Sequence, residues 1–276
     1  MINMIKAWIR KVNFFKNEAA YKTIFRQKRI MLFLDFDGTL ADIVDHYKNA
    51  TILKESKVLL RKIAKIRDCS IAIVSGRALD DVKKRVGLKN ITYAGNHGLQ
   101  IEGLGVKSTI FVKMGDRIRL KLIKYDLMTH IGQIKGIVLE DKGLSITAHY
   151  RLVNGRDLRV FKRKFLQCLE PYLQKNEVSL NEGKKVFEIN PKVRWDKGKA
   201  ILWLIDNFRE KGFGKKAFPI FIGDDMTDET AFKALKRKGL CIRVGESKSS
   251  AAPYFLKDIK EVACFLKTIL DSKIKS

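Results

Sequence analysis

Short apolar runs limit the folds that this chain of 276 residues can adopt. They predict buried strands at residues 30–34, 70–74, 91–94, 219–222 and 240–244. Continuous apolar runs, rather than alternating ones, are typical of strands buried on both faces of a parallel sheet. Helical patterns separate these runs, over residues 52–66, 78–86, 197–210, 228–237 and 258–271. We therefore predict an α/β fold built on a parallel sheet.

The order of elements differs in the middle of the chain. There the hydrophobic pattern predicts a helix, a hairpin, a helix and a hairpin, over residues 116–131, 137–150, 155–174 and 178–189. Asn190-Pro191 then breaks the chain, and strand-helix alternation resumes. We therefore predict a core formed by residues 30–104 and 190–276, with an inserted α/β domain over residues 105–189.

The chain is strongly basic, with 56 lysines and arginines against 30 aspartates and glutamates, a net charge of +26. The basic residues are spread over every segment. They are not interleaved with aromatic residues in the way that base-stacking proteins require. We therefore expect no nucleic-acid partner and interpret the charge as a property of the whole surface.

Residues 1–29 form a separate segment, with eight lysines and arginines and one acid, Glu18. Five of its apolar residues recur at helical spacing: Ile5, Trp8, Ile9, Val12 and Phe15. This pattern predicts a basic amphipathic helix or extension. Two interpretations stay open, packing against the core and peripheral contact with a membrane surface.

Cysteine use and hydropathy bear on the compartment. The four cysteines are widely scattered and lack zinc-ligand spacing: Cys69, Cys168, Cys241 and Cys264. We interpret them as reduced core residues of a cytoplasmic protein. No stretch approaches the roughly 18 continuous apolar residues that a membrane span needs. We expect a monomer without a transmembrane segment.

Two carboxylates follow the first predicted core strand directly. Asp35 and Asp37 stand two positions apart, and because side chains alternate along a strand, they lean to the same side. Gly38 lets the backbone turn away immediately after them. One carboxylate can act as a nucleophile and the other as an acid or base, which suits phosphoryl transfer.

Further polar residues lie at the ends of other strands or at the start of a helix, where open parallel sheets bind ligands. Ser75 offers a hydroxyl to phosphate oxygens, and Lys197 brings a positive charge. Asp224 and Asp225 add carboxylates. Oxygen-only ligands beside a phosphate point to Mg²⁺, whose charge offsets the repulsion between these carboxylates and a phosphate dianion. Lys199 competes with Lys197 for this role, and the Lys-Gly-x-Ala pattern favours Lys197.

Together these residues form four ordered motifs, through which the chain resembles the haloacid dehalogenase-like phosphatases. The motifs are Phe-Leu-Asp-Phe-Asp-Gly-Thr-Leu, Ala-Ile-Val-Ser-Gly-Arg, Asp-Lys-Gly-Lys-Ala and Ile-Gly-Asp-Asp-Met-Thr-Asp-Glu. The resemblance implies a Rossmann-like core with an inserted cap domain and an aspartyl-phosphate on Asp35, with Asp37 moving protons. It also implies Mg²⁺ held by Asp35, the Asp37 main-chain carbonyl and Asp224. Asp225 and Asp228 would orient the groups around the metal.

Other segments are similar to the trehalose-6-phosphate phosphatase family, namely residues 95–98, 148–151 and 183–191. The resemblance implies that the cap closes over a sugar phosphate. Contacts to the substrate would come from Gly76, Arg77, Asn96, His97, Arg151, Lys185 and Glu188. Two residues depart from the family's pattern, because Asp42 replaces a common proline and Gln100 replaces a common glutamate.

Alternatives remain at this stage. The sugar phosphate could be sucrose phosphate or mannosyl-3-phosphoglycerate, because these share the chemistry. A catalytically idle basic module that binds a membrane or nucleic acid is a second alternative, against which the intact motifs argue. His97 could simply bond to backbone, and Arg151 and Lys185 could be solvated hairpin charges.

Overall fold

The computed structural model describes residues 11–109, 112–183, 185–214 and 216–274. Its strands are β1 (Val12–Asn13), β2 (Ile30–Leu34), β3 (Cys69–Val74), β4 (Thr92–Gly95), β5 (Gln100–Gly103), β6 (Val106–Thr109), β7 (Val138–Asp141), β8 (Ile146–His149), β9 (Val178–Gly183), β10 (Val186–Pro191), β11 (Phe218–Gly223), β12 (Leu240–Val244) and β13 (Tyr254–Leu256). Its α-helices are α1 (Glu18–Phe25), α2 (Lys54–Ile63), α3 (Leu79–Val86), α4 (Met114–Ile131), α5 (Gly155–Gln174), α6 (Lys197–Phe208), α7 (Asp228–Ala234) and α8 (Ile259–Ile274).

The core is one sheet in which nine strands of the described ranges run in the order β1-β13-β12-β11-β2-β3-β4-β5-β6. Neighbours are parallel from β1 to β4, and β5 and β6 add an antiparallel edge. The central strand β2 is buried along its whole length. Leu32 and Leu34 face one apolar cluster and Phe33 faces the other, which explains the continuous apolar run. The predicted fold class is confirmed.

Helices cover both faces of the core sheet. Ile24 of α1, Leu60 of α2 and Phe265 of α8 belong to the cluster on one face. Ile201 of α6 and Phe232 of α7 belong to the cluster on the other face. This doubly covered arrangement leaves the carboxyl ends of β2, β3 and β11 at one edge, where their loops meet.

A second, smaller unit lies between β6 and α6. Its antiparallel sheet has the order β7-β8-β10-β9, and α4 and α5 pack on one face of it around a separate apolar cluster. The ends of this unit differ by a few residues from the predicted range 105–189. The chain is still in the core sheet at β6, because Gly103-Leu104-Gly105 forms a tight hairpin with positive φ angles. Asn190-Pro191 forms the end of β10, where Pro191 pairs with Val178.

The amino-terminal segment differs from the predicted amphipathic helix. Val12 lies in β1, which pairs in parallel with β13, and Phe14–Lys16 forms a 3-10 turn. Phe14, which the helical spacing left off the apolar face, is fully buried, and its ring meets Phe265 edge-on at 4.9 Å. A regular helix through Val12 and Phe15 would not bury Phe14, so the prediction is wrong there. Ile5, Trp8 and Ile9 lie outside the described residues.

The cysteines occupy different depths in the fold, all as free thiols. Cys69 and Cys241 are buried, and Cys168 is half-buried. Cys264 is exposed, so its prediction as a core residue is wrong; it lies on the outer side of α8, away from Phe265 and Leu266. None of the described helices combines the length and the apolar character needed to cross a membrane.

Candidate active site

The first three predicted motifs meet the fourth at the carboxyl edge of the core sheet. Leu34 of β2 is in register with Ile73 of β3 and with Ile222 of β11, so the residues that follow these strands are neighbours. The Asp35 backbone N–H donates to the Ile222 carbonyl at 2.9 Å, which extends the ladder to the site. Lys197 is the first residue of α6, whose N-cap is Asp196.

A buried ion cluster occupies this edge. The Lys197 ammonium lies 2.6 Å from Asp228 and 3.1 Å from Asp35, and all three side chains are almost fully buried. Burial alone would lower the pKa of Lys197, but the charges of Asp228 and Asp35 raise it. Lys197 is therefore held as a cation beside the proposed nucleophile. The sequence analysis predicted that Asp228 orients the groups around the metal. In the structure, its carboxylate is closer to the Lys197 ammonium than that of Asp35 is.

Several negatively charged carboxylates surround Asp35. Burial raises its pKa well above the ordinary value, and the charges of Asp228 and Asp224 add to that rise while Lys197 opposes it. Its Oδ1 accepts from the Phe36 N–H at 2.7 Å. One lysine is thus shared among several carboxylates, an arrangement that favours a further cation.

The donor set fits a hard divalent cation. Carboxylate oxygens of Asp35, Asp224 and Asp228 lie within 4.8 Å of one another. Gly38, at φ +73°, permits this approach, because a Cβ there would stand 2.3 Å from the Asp224 carboxyl carbon. Clustered oxygens are the ligands that Mg²⁺ prefers. Asp225 donates its N–H to Asp228 at 2.9 Å, which orients that carboxylate.

Asp37 has a different partner. Arg77 binds its carboxylate through two hydrogen bonds of 2.7 Å, from Nε and Nη2. The remaining donors of Arg77 go to Asp81 at 2.8 Å and to the Tyr47 carbonyl at 3.0 Å. Burial would lower the pKa of Arg77, but Asp37 and Asp81 raise it. The sequence analysis predicted Arg77 as a substrate contact. In the structure it borders the cleft, and its guanidinium is hydrogen-bonded to Asp37, Asp81 and the Tyr47 carbonyl.

A flap of core residues, Tyr47–Ala50, is fixed by the same network. Arg85 bonds to Asp81 at 2.8 Å and donates to the carbonyls of Lys48 and Ala50. Asp81 therefore bridges the two arginines that hold the flap. The chain Asp37-Arg77-Asp81-Arg85 was not foreseen, although the i, i+4 spacing of Asp81 and Arg85 is a usable signal.

Ser75 and Gly76 form a turn that lies close to His97. The Ser75 hydroxyl accepts from the Arg77 N–H at 3.2 Å, and the Ser75 carbonyl accepts from the His97 N–H at 2.9 Å. A Cβ at residue 76 would stand 2.7 Å from His97 Cε1, so glycine is required for this approach. His97 itself has a positive φ of 55°.

The second unit forms the opposite wall of a cleft that is open to solvent at its mouth. Polar residues of its sheet and hairpins face the cleft. They are Glu140, Lys142, Thr147, His149, Arg151, Asn181, Glu182 and Glu188. Of these, sequence reasoning singled out only Arg151 and Glu188. Lys142 lies within the predicted hairpin of residues 137–150, and nothing local distinguishes it from other hairpin lysines.

Two polar contacts join the two walls. Glu188 meets His97 at 2.8 Å, and the Lys142 ammonium donates to the Gly76 carbonyl at 2.9 Å. Within the second unit, Lys142 also meets Glu188 at 2.9 Å. Burial would raise the pKa of Glu188, but the charges of His97 and Lys142 hold it well below its usual range. Burial would lower the pKa of Lys142, and Glu188 and Glu140 raise it. The closed cleft thus holds a buried Lys142–Glu188 pair of the second unit, which contacts the core at His97 and Gly76.

Two of the predicted substrate contacts lie elsewhere. Asn96 is fully buried, and its amide bonds to Gln100 at 3.0 Å and to Ser145 at 3.1 Å, which fastens the second unit to the core. Lys185 is exposed in the hairpin after β9 and is not among the described residues that line the cleft. Gln100 therefore contacts Asn96 instead of the cleft.

An aromatic stack links the flap to the second unit beside the cleft. The ring of Tyr47, on the flap, lies 4.7 Å from the ring of His149 at an angle of 12°. His149 also meets Glu140 at 2.8 Å. Tyr47 therefore touches the second unit with its side chain and the Arg77–Asp37 pair with its backbone carbonyl.

Known proteins resemble this chain in sequence and in fold. The family model Trehalose-phosphatase matches residues 33–260. Probable trehalose-phosphate phosphatase 4 of Oryza sativa subsp. japonica is 32% identical over all of this chain and 75% of its own length. Probable trehalose-phosphate phosphatase 3 of the same organism is 34% identical over 90% of this chain and 71% of its own. The C-terminal domain of Candida albicans trehalose-6-phosphate phosphatase has a TM-score of 0.75 at 22% identity, covering 92% of this chain and 97% of that one. This structural likeness shows the fold.

Proposed function

Since the chain belongs to the trehalose-phosphatase family of phosphoric monoester hydrolases, we propose that it hydrolyses trehalose 6-phosphate with the help of Mg²⁺. The observation that carries the proposal is the meeting of Asp35, Lys197 and Asp224 at the floor of a cleft whose other wall is polar. Phosphate chemistry suits the floor, and sugar hydroxyls suit the wall. Buried hydroxyls without partners would weaken binding, so a disaccharide requires such a wall.

The cation would be held by Asp35 and Asp224, with Asp228 beside them. When bound, it offsets the negative charge shared by the phosphate and these carboxylates. The family resemblance implies the Asp37 main-chain carbonyl as a further ligand, which is compatible with the binding of the Asp37 carboxylate by Arg77. Asp225 holds Asp228 in place through its N–H.

Asp35 is the proposed nucleophile. Its buried carboxylate attacks phosphorus in line and forms an aspartyl-phosphate, while Lys197 and Ser75 stabilise the transferring oxygens. Asp37 donates a proton to the leaving sugar oxygen. It then accepts a proton from the water that hydrolyses the aspartyl-phosphate. Arg77 keeps the Asp37 carboxylate aimed during both transfers, since its two-point contact leaves little rotational freedom.

The second unit, which is the cap, contacts the sugar in this proposal. Glu140, Lys142, Glu188 and Arg151 offer donors and acceptors on one wall of the cleft. Binding the sugar would exchange some of the contacts between Glu188, His97 and Lys142 for contacts to hydroxyls. Closing the cap also excludes water from the leaving group. The cytoplasmic location and the monomeric state stay predictions.

A phosphate-release panel tests the proposal. Trehalose 6-phosphate, sucrose phosphate, mannosyl-3-phosphoglycerate and p-nitrophenyl phosphate are each assayed with Mg²⁺ and with EDTA. We expect trehalose 6-phosphate to have the highest kcat/KM, and EDTA to abolish its turnover. A higher kcat/KM for another sugar phosphate would overturn the substrate assignment. Full turnover in EDTA would overturn the metal assignment.

A further inference from the structure

Helix α4 is apolar on two opposite faces. One face packs into the cluster of the cap through Leu120, Ile123, Leu127 and Ile131. The other face carries the outer stripe, which we define as Met114, Ile118, Leu122, Tyr125 and Met128, with exposed fractions of 72, 53, 55, 72 and 56%. Steps of three and four residues keep these side chains on one line along the helix. A surface helix with a single partner needs only one such face, so the outer stripe requires its own explanation.

Basic residues surround the outer stripe. Lys113 and Lys121 of the same segment are exposed, and α5 lies beside α4 on the same face of the cap sheet. The outward side of α5 is basic through Arg156, Arg159 and Arg163, all exposed. Nearby carboxylates already have partners within the cap: Asp116 with Arg119, Asp126 with Tyr172, and Asp141 with Lys124. The surface therefore combines an apolar ridge with an excess of positive charge.

The shape and charge of this surface decide what covers it. A second copy of the chain would bring a like-charged surface against it, since the chain carries a net charge of +26. A partner helix needs a groove, whereas the outer stripe is the convex ridge of a single helix. A lipid bilayer with anionic headgroups accepts a convex apolar ridge and attracts the surrounding lysines and arginines.

We propose that the outer stripe and the basic side of α5 form a peripheral docking surface for an anionic lipid bilayer. The apolar side chains enter the boundary between headgroups and acyl chains, and the arginines of α5 lie at the level of the phosphates. The surface is on the far side of the cap sheet from the cleft. Ile146 and Ala148 face the helices, while Thr147 and His149 face the cleft. Docking thus leaves the cleft open to a dissolved substrate, and the proposal is independent of the proposed function.

Vesicle co-sedimentation of the full chain tests this surface. We expect binding to vesicles that contain about one-third phosphatidylserine and much weaker binding to pure phosphatidylcholine. The variant Ile118→Ser/Leu122→Ser/Tyr125→Ser removes the centre of the ridge. We expect it to lower the partition coefficient at least tenfold. Because these side chains are more than half exposed and lie outside the cleft, its phosphatase activity serves as the check that it folds.

A charge variant and a matched control complete the experiment. Arg156→Glu/Arg163→Glu should weaken binding to anionic vesicles by more than tenfold, since each basic residue near an anionic surface contributes about fivefold. The control Val58→Ser/Ile274→Ser removes apolar side chains that are 46 and 72% exposed elsewhere, and it should bind like the unaltered chain.

Three results would overturn the proposal. The unaltered chain could fail to bind anionic vesicles. The triple serine variant could bind as well as the unaltered chain, which would assign the binding to other basic segments such as residues 1–10. Sedimentation equilibrium could show a dimer of the unaltered chain that the triple variant dissociates, in which case a second copy covers the ridge.

Discussion

The two walls of the cleft hold their charges differently. On the core side, Lys197, Asp35 and Asp228 are bound to one another within a single rigid edge of the sheet. On the cap side, Glu188 and Lys142 are balanced partly by core groups, His97 and the Gly76 carbonyl. Opening the cap would leave the first set intact. It would break the contacts of Glu188 with His97 and of Lys142 with Gly76, while the Glu188–Lys142 pair stays within the cap. The core wall is therefore preorganised for chemistry, whereas the cap wall is completed by closure.

The largest effect should follow from removing the nucleophile on the core wall. Asp35→Asn is expected to lower kcat by about 10⁴-fold or more, because an amide cannot form the phosphorylated intermediate. Its melting temperature should not fall, since the change removes a negative charge buried beside Asp224 and Asp228. Phosphate release and thermal unfolding measure the two effects. Asp42→Asn, at an exposed position, is the control, and substantial turnover by the Asp35 variant would reject the assignment.

Lys197→Met tests whether the core wall is held together by its single lysine. Asp35 and Asp228 would lose their buried cation, which we expect to cost about 3–5 kcal/mol of unfolding free energy and about 10³-fold in kcat. Urea unfolding and initial rates provide the measurements. Lys199→Met removes an exposed lysine two residues away and should change neither by much. Equal stability of the two variants would mean that the cluster is not the support we describe.

Glu188→Gln tests the cap wall. Its loss should lower kcat/KM for trehalose 6-phosphate by about 100-fold, since a group that binds a sugar hydroxyl also holds Lys142 in place. Turnover of p-nitrophenyl phosphate, which lacks a sugar, should change by less than about threefold. Glu170→Gln on the exposed side of α5 is the control. A similar loss on both substrates would place Glu188 in the chemistry rather than in recognition.

Tyr47 bridges the two walls, so its substitution tests their connection. Tyr47→Leu removes the stack on His149 and should lower kcat/KM for the sugar phosphate about tenfold. Tyr47→Phe keeps the ring and the backbone carbonyl that Arg77 uses, and it should stay close to the unaltered enzyme. Comparable loss in both variants would assign the effect to the hydroxyl group.

The smallest expected effect is the pH dependence of the stability that Asp81 contributes through its ion pairs with Arg77 and Arg85. Burial would raise the pKa of Asp81, but hydrogen bonds from Arg85 and Arg77 lower it. Its stabilising effect is therefore fully present above its unfolded pKa of about 3.9 and is lost as the pH falls through the lower folded value. The difference in melting temperature between the unaltered chain and Asp81→Asn should stay constant from pH 7 to 5 and shrink below about pH 4. A difference that already shrinks at pH 6 would contradict the lowered pKa.

The same contrast explains what the sequence could predict. Asp35, Ser75, Lys197 and Asp224 each stand beside a strong local signal, the end of a buried strand or the start of a helix. A parallel sheet gathers its carboxyl ends at one edge, so their meeting follows from the fold class.

The cap wall gave weaker signals. Glu140, Lys142 and His149 come together only through the register of an antiparallel sheet and the way the cap docks on the core. Neither the register nor the docking of the cap can be predicted from a short stretch of sequence, so Lys142 could not be distinguished from other hairpin lysines. The family resemblance predicted Asn96 and Lys185 as substrate contacts. In the structure, Asn96 bonds to Ser145 of the cap, and Lys185 is exposed in a hairpin. Phe14 shows the same limit, because long-range packing on Phe265 overrode a helical pattern.

The flap over Asp37 is recognised through its backbone. Arg77 and Arg85 bind the carbonyls of Tyr47, Lys48 and Ala50, and every amino acid supplies a carbonyl. Mutations in the flap can therefore alter which side chains border the cleft while the alignment of the acid is retained. A library at Tyr47 and at the neighbouring residues 43–45, which also border the cleft, should change the substrate range while the catalytic residues are retained.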